Sequence, residues 1–325
     1  MRAGLRAPCV TGMLGHTIHA ACRRGISVRE PIMPARSEWS VVADCHNLLG
    51  EGPWWDARTG TLLWVDIDAR LLQRHDPWSG RTITWDLDQK ASATVARGIG
   101  GLALAMEDGI WVTDSEAGPA RRVAAIEADD PLTRMNDAKC DRMGRLWVGS
   151  MAHDARPRAG SLYRVDGDAS VERVLVDVTI SNGIDWSPDD QLMYYIDSAT
   201  RRVDVLDYDL ATGRASGRRA LIQLPEGAGL PDGMTVDAEG CLWVAMWDGW
   251  SVRRYSPSGD LDRIVQFPVA RVTSCAFGGA DLADLYVTSA STGLSASEAA
   301  DQPLAGGLFV VPPGVRGLEA TPFGG

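Results

Sequence analysis

Several things are scarce in this chain of 325 residues, and each scarcity removes a class of protein. There are four phenylalanines, set against twelve tryptophans. Positive charge is short: 32 Lys and Arg against 43 Asp and Glu give a net charge of −11 and a pI near 4.9. Such an acidic surface repels phosphate backbones, so nucleic acid is excluded as a partner. No apolar run approaches the ~18 residues that would suggest a membrane helix, so no membrane partner is expected. The cysteines at 9, 22, 45, 140, 241 and 275 form no CxxC pair, which argues against a thiolate zinc site. A chain this long does not need disulfide staples, so they are read as reduced thiols and the location as cytoplasmic. No GxSxG elbow is present, which weighs against a serine hydrolase. No long segment holds a 3.6-residue period, so helices should be few.

What remains is a repeat. Apolar strand cores recur at Leu62–Ile67, Ile110–Thr113, Leu146–Ser150, Leu192–Asp197, Leu242–Met246 and Leu285–Ser289. Their aromatic anchors, Trp64, Trp111, Trp147, Tyr194, Trp243 and Tyr286, are spaced by 47, 36, 47, 49 and 43 residues. Turn signals rich in Asp and Gly frame each core. Periods of this size, with several short strands in each, predict an all-β, six-bladed β-propeller. "EWSVVADC" near the start and "GGLFVVPP" near the end are expected to share the closing blade. The propeller is assigned to residues 37–325. Residues 1–36, rich in arginine, are read either as a disordered extension or as the product of an upstream start codon, with Met33 the real beginning. A transit peptide is the alternative reading.

Four polar islands precede four of the cores: Glu51, Asn136, Asn182 and Asp232, lying 13, 11, 12 and 11 residues before their anchors. Matching places in a radial repeat face the hub, so a carboxylate, two amides and a second carboxylate should converge. Oxygen ligands of this kind suit a hard divalent cation. Glu51, Asn182 and Asp232 are the expected ligands, and Asp232 can also take a proton from water. Arg134 shares the face of Asn136 in an extended strand, and both are suited to holding sugar hydroxyls or a carbonyl. Each island alone also reads as ordinary turn chemistry. At the remaining two blades, Ile99–Gly100 and Ser274–Cys275 fall at the same offset. Asp237 and Glu239 are read as solvated turn acids. Trp247 and Trp250 read equally as a pocket lip and as packed strand residues.

At this point the sequence closely resembles the family of gluconolactonases, regucalcin (senescence marker protein) and luciferin-regenerating enzymes. The resemblance spans about residues 38–322. It is carried by "LGEGP", "TRMNDAKCD", "GRLWVGSM", "SLYRVD", "ISNGIDWSPDD", "YYIDS", "VLDYDLATG", "PDGMTVDAEGCLWVAMWDG", "SCAFGGADLADLYVTSA" and "PLAGGLFVV". It implies a six-bladed propeller with one divalent cation (Ca, Zn, Mg, Mn or Fe(II)) in the channel. Glu51, Asn182 and Asp232 match the family's metal ligands, and Asp232 its general base. Arg134 and Asn136 match its substrate contacts. Where some members carry a substrate-contacting glutamate on a longer loop, this chain has "AHDARPRAG", which offers His153 or Asp154.

The expected function is hydrolysis of a sugar (aldono)lactone to the aldonic acid by metal-activated water. The alternatives are a non-catalytic, calcium-binding regulatory propeller and an aryl-ester or phosphotriester hydrolase on the same fold.

Overall fold

The second strand of each sheet is apolar on both faces, and this is what shapes the molecule. Leu62, Leu63, Trp64 and Val65 are all 1% exposed or less, as are Trp147, Val148, Trp243 and Val244. A strand buried on both faces must lie between two other layers. In the computed structural model, which describes residues 38–116 and 118–325, those layers are neighbouring sheets. The expected N-terminal extension at 1–36 lies outside the described residues. Each tryptophan hides roughly 200 Å² of surface, contributing about 5 kcal/mol before conformational entropy is charged against it.

Six four-stranded antiparallel sheets form the ring of a β-propeller. Their innermost strands are Gly50–Asp56, Ala91–Ala96, Thr133–Cys140, Ser181–Trp186, Leu230–Val236 and Val272–Gly278, here called the inner strands of blades 1 to 6. Each inner strand touches the next, and that of blade 6 returns to that of blade 1. Blade 6 closes the ring: Ser40–Ala43 pairs with Leu308–Val311, Ser40 opposite Val310 and Val41 opposite Phe309. One sheet built from both ends of the described chain leaves the ring without a seam. This is the pairing expected between "EWSVVADC" and "GGLFVVPP". Among the described residues, helix is confined to Ala296–Asp301 and one 3₁₀ turn, Ser198–Thr200. No helix among the described residues is long and apolar enough to cross a membrane.

Blade 2 corrects the sequence reading. Its second strand is Leu102–Met106, and Trp111 lies on the third, Gly109–Val112. Ile99 and Gly100 are therefore not inner positions. They sit in the turn after the inner strand, with Ile99 77% exposed. Leu102–Met106 carries no aromatic residue, so the anchor fell one strand late.

Every inner strand breaks register with its neighbour near its start, in the six intervals Glu51/Trp54, Ala91/Ala93, Met135/Ala138, Asn182/Ile184, Pro231/Met234 and Val272/Ser274. A bulge at the same place in all six blades bends the strands at one end of the hub and re-aims their side chains.

Candidate metal and substrate site

The bulges gather the polar islands. Glu51, Arg134, Asn136, Asn182 and Asp232 line one cavity of about 160 Å³, with Leu49, Met151, Ile180, Ser198, Leu230 and Trp247. Blades 1, 3, 4 and 5 supply these groups. Of the two tryptophans read equally as lip or as packed strand residues, Trp247 lines the cavity and Trp250 is outside the lining and 41% exposed. Asp154 is exposed, outside the lining, and accepts a hydrogen bond from the Arg156 backbone N–H at 3.1 Å. His153 is likewise exposed.

Glu51 is not at quite the place its spacing suggested. Counting back from the pairs Trp54↔Leu63, Ala138↔Val148 and Met234↔Val244, the residue matching Asn136 and Asp232 is Gly52. A one-residue offset would turn Glu51 to the other side of a regular strand. Gly52 adopts φ +55°, a left-handed conformation that glycine reaches without strain, and its N–H donates to Glu51 Oε2 at 3.0 Å.

Two buried carboxylates hold the loops entering the site. Asp66, at the end of the second strand of blade 1, accepts from the N–H groups of Leu48 and Leu49 at 2.8 and 3.0 Å. Asp197, at the matching place in blade 4, accepts from Thr179 and Ile180, both at 3.1 Å. They fix where the strands bearing Glu51 and Asn182 begin. Both acids stand inside the motifs "LLWVDI" and "YYIDS", but nothing in the sequence says what an acid there would hold.

The polar groups are joined by hydrogen bonds. Arg134 Nη1 donates to Asn136 Oδ1 at 2.7 Å and to the Met135 carbonyl at 2.9 Å. Asn136 Nδ2 donates to Asn182 Oδ1 at 2.8 Å and to the Ser181 carbonyl at 2.7 Å. Asn182 Nδ2 donates to Ser198 Oγ, also at 2.8 Å.

Electrostatically the site is short of positive charge. Burial, then the Asp137 charge, pushes the Glu51 carboxyl up to about 8, against smaller lowering by the Gly52 N–H and Arg134. Asp232 is held well above the usual carboxylate range by burial, and further by Glu51 and Asp137. Burial raises Asp137 to about 6 despite Lys139 nearby. Burial lowers the Arg134 guanidinium, while Asp68, Glu51, Glu107 and Asp232 support its charge. Around the cavity, carboxylates (Glu51, Asp137 and Asp232, with Asp68 and Glu107 also acting on Arg134) thus outnumber the cations Arg134 and Lys139. A divalent cation would offset part of the excess. The donors at hand are carboxylate and amide oxygens, and neither histidine nor cysteine lines the cavity. The residues present fit a hard divalent ion.

A second acidic group does not. Asp237, Glu239 and Cys241 converge at the opposite end of blade 5. Asp237 is fully buried, not solvated as its turn position suggested. Its oxygens accept from the Glu239 and Cys241 N–H groups, Trp243 Nε1 and Arg254 Nε, all at 2.9 Å. Arg254 also pairs with Glu239 at 2.6 Å. The guanidinium already supplies the charge a metal would bring.

Residues 49–291 match the sequence model of the SMP-30/gluconolactonase/LRE-like region. Among similar proteins, regucalcin from Xenopus laevis is 39% identical over 292 residues, covering 88% of this chain and 97% of that protein. A putative sugar lactone lactonase, YvrE, from Bacillus subtilis (strain 168) is 36% identical, covering 87% and 97%. Among solved structures, a calcium-binding protein, regucalcin, from Agrobacterium tumefaciens superposes with a TM-score of 0.84 at 32% identity, over 87% of this chain and 96% of that one.

Proposed function

The chain belongs to the SMP-30/gluconolactonase/LRE-like family, and from that premise we propose that it is a divalent-cation-dependent lactonase that opens a sugar (aldono)lactone to the aldonic acid. The observation that carries this reading is the gathering of Glu51, Asn182 and Asp232 around one cavity with more negative than positive charge. The name of the Bacillus subtilis relative supports the substrate class, and the description of the Agrobacterium tumefaciens protein supports a cation.

Glu51, Asn182 and Asp232 would hold the ion, which when bound polarises a carbonyl and acidifies water. The chain's own residues do the rest. Arg134 and Asn136 orient the lactone, lowering the entropic part of the barrier. Met151, Ile180, Leu230 and Trp247 give the cavity an apolar wall beside these polar groups. Asp232 accepts a proton from the attacking water as the new C–O bond forms. It returns that proton to the ring oxygen as the ester C–O bond breaks.

Calcium binding without catalysis is the second reading, favoured by a donor set that suits calcium whether or not a lactone enters. A pH-stat assay on a panel of aldonolactones separates the two. Chelation is expected to abolish acid release and a divalent cation to restore it. An unchanged rate in the chelated protein would remove the metal-dependent mechanism. A cation-loaded protein inert toward the whole panel would leave the binding reading.

A further inference from the structure

We propose that Ser198 is a positioning residue that sets which face of the Asn182 amide meets the cation; this rests on the lactonase reading's ligand set. An asparagine side chain is nearly symmetric in shape but not in chemistry. One end accepts, the other donates, and only the oxygen can ligate a cation. Something must therefore choose the orientation of Asn182, and the structure holds a chain of hydrogen bonds that does.

The choice is forced from both ends. At one end Arg134 is donor-only, so its Nη1, 2.7 Å from Asn136, meets the amide oxygen. That places the Asn136 NH₂ toward blade 4, where it donates to the Ser181 carbonyl and Asn182 Oδ1. At the other end stands the Pro231 carbonyl, which can only accept. Ser198 Oγ lies 2.6 Å from it and must spend its single proton there. The hydroxyl is left with lone pairs alone, so it receives the proton of Asn182 Nδ2 at 2.8 Å. Both ends require the same orientation, with Asn182 Oδ1 away from Ser198. That oxygen has two lone pairs, and Asn136 uses one. Ser198 is 3% exposed, lines the cavity, and sits on the 3₁₀ turn Ser198–Thr200, where the second strand of blade 4 ends beside the residue preceding Asp232. The relay therefore couples two ligand-bearing strands, through Asn182 and through Pro231.

The test is calcium titration of the chelator-stripped full chain by calorimetry. Ser198→Ala removes one of the two hydrogen bonds that fix the amide, leaving Asn136 alone to hold it, and is expected to weaken calcium binding by about 10-fold, the lower end of the range for loss of a group that orients a ligand. Ser198→Thr keeps the hydroxyl and should bind like the parent. The decisive arm places Ser198→Ala on an Asn182→Asp background. A carboxylate presents oxygen whichever way it turns, so Ser198 has nothing left to choose. Its removal should then change affinity by less than about twofold. A purely structural role for the turn would weaken both backgrounds alike. Equal losses in both, or no loss in either, would overturn the proposal. If the parent itself binds no calcium while remaining an active lactonase without metal, the ligand set fails and this inference fails with it. If the parent binds and Ser198→Ala does not weaken it, the inference alone fails.

Discussion

Lys139 Nζ lies 2.6 Å from Asp185 Oδ2, so an inner-strand ammonium of blade 3 is paired with an inner-strand carboxylate of blade 4. The same ammonium reaches the Met234 carbonyl of blade 5 at 3.3 Å, and Asp185 Oδ2 accepts the Val236 N–H at 2.8 Å. Three blades are thereby tied at one point in the hub. Both residues lie deeper along their strands than the cavity groups, and Lys139 also offsets the charge of Asp137. The tethered ammonium serves the hub as a fixed counter-ion, separate from any cation held at the cavity.

Lys139→Met should therefore cost stability more than it costs the site its shape. Removing the ammonium strands Asp185 and Asp137 without their cation. Breaking a fully buried pair costs about 3–5 kcal/mol. Here about a quarter of the Lys139 side chain is exposed, so roughly 2–3 kcal/mol is expected after solvent screening. Urea unfolding measures it, and a change under about 0.5 kcal/mol would show that the pair is not a tie.

Asp232→Asn separates the two parts assigned to that carboxylate. The amide cannot take a proton from water, so lactone hydrolysis should fall at least about 100-fold. The buried repulsion with Glu51 disappears with the charge. The chelated variant should consequently melt no lower than the chelated parent. Parental hydrolysis by the variant would end the assignment of Asp232 as base.

Much of the architecture was legible because burial on both faces writes itself into sequence. Trp147 and Trp243, each followed by Val and fully buried, mark second strands directly, and Val41 and Phe309 marked the closing pair. Blade 2 escaped because Leu102–Met106 fills the same place with small and aliphatic side chains. The gathering of Glu51, Arg134, Asn136, Asn182 and Asp232 was legible from spacing. The one-residue offset of Glu51 was not, since only the strand pairing on either side of the bulge reveals it. Asp237 looked solvated because it occupies a turn; the ring that buries it comes from Arg254 and Trp243, later in the chain. The position of Asp154 turned on a short loop, and nothing local fixed whether its carboxylate reaches inward or bonds its own turn. Ser198 carried no signal, since a hydroxyl after a strand is common and its partners lie on other strands.

The raised carboxyls predict how the metal-stripped protein responds to pH. Glu51 ionises near 4.5 when unfolded and at about 8 when folded. Asp137 moves from 3.8 to about 6. Between those limits the folded state binds more protons than the unfolded one. Stability contributed by the protonated acids is complete below about pH 4 and is lost as pH rises toward 8. The Glu51 effect is on the order of 3 kcal/mol, allowing for its partial exposure to the cavity. Thermal melts of the chelated protein from pH 5 to pH 8 should thus fall relative to a Glu51→Gln, Asp137→Asn double variant. A saturating divalent cation should remove most of the difference. Parallel melting curves for parent and variant would show that these acids are not strained by burial.

Gly233→Ala tests whether the spacing of the inner strands positions Asp232. An added Cβ would stand 2.1 Å from Ser274 Oγ and 2.6 Å from Ser274 Cβ, so blades 5 and 6 must part to admit it. Overpacking of this kind costs about 1–3 kcal/mol. The displacement falls on the residue next to Asp232, and misplacing a reacting group by about 1 Å can cost 100-fold in rate. Activity should accordingly drop at least tenfold in kcat. Gly60→Ala is the control. It lies in an open turn at the opposite end of blade 1, with no neighbour within 4 Å and φ +67°. It should lose about 1 kcal/mol through backbone strain and keep its kcat within about twofold, since nothing near Gly60 touches the cavity. If both variants lost stability equally and both kept parental kcat, close approach at Gly233 would be a matter of packing alone, and the orientation of Asp232 would have to come from elsewhere in its strand.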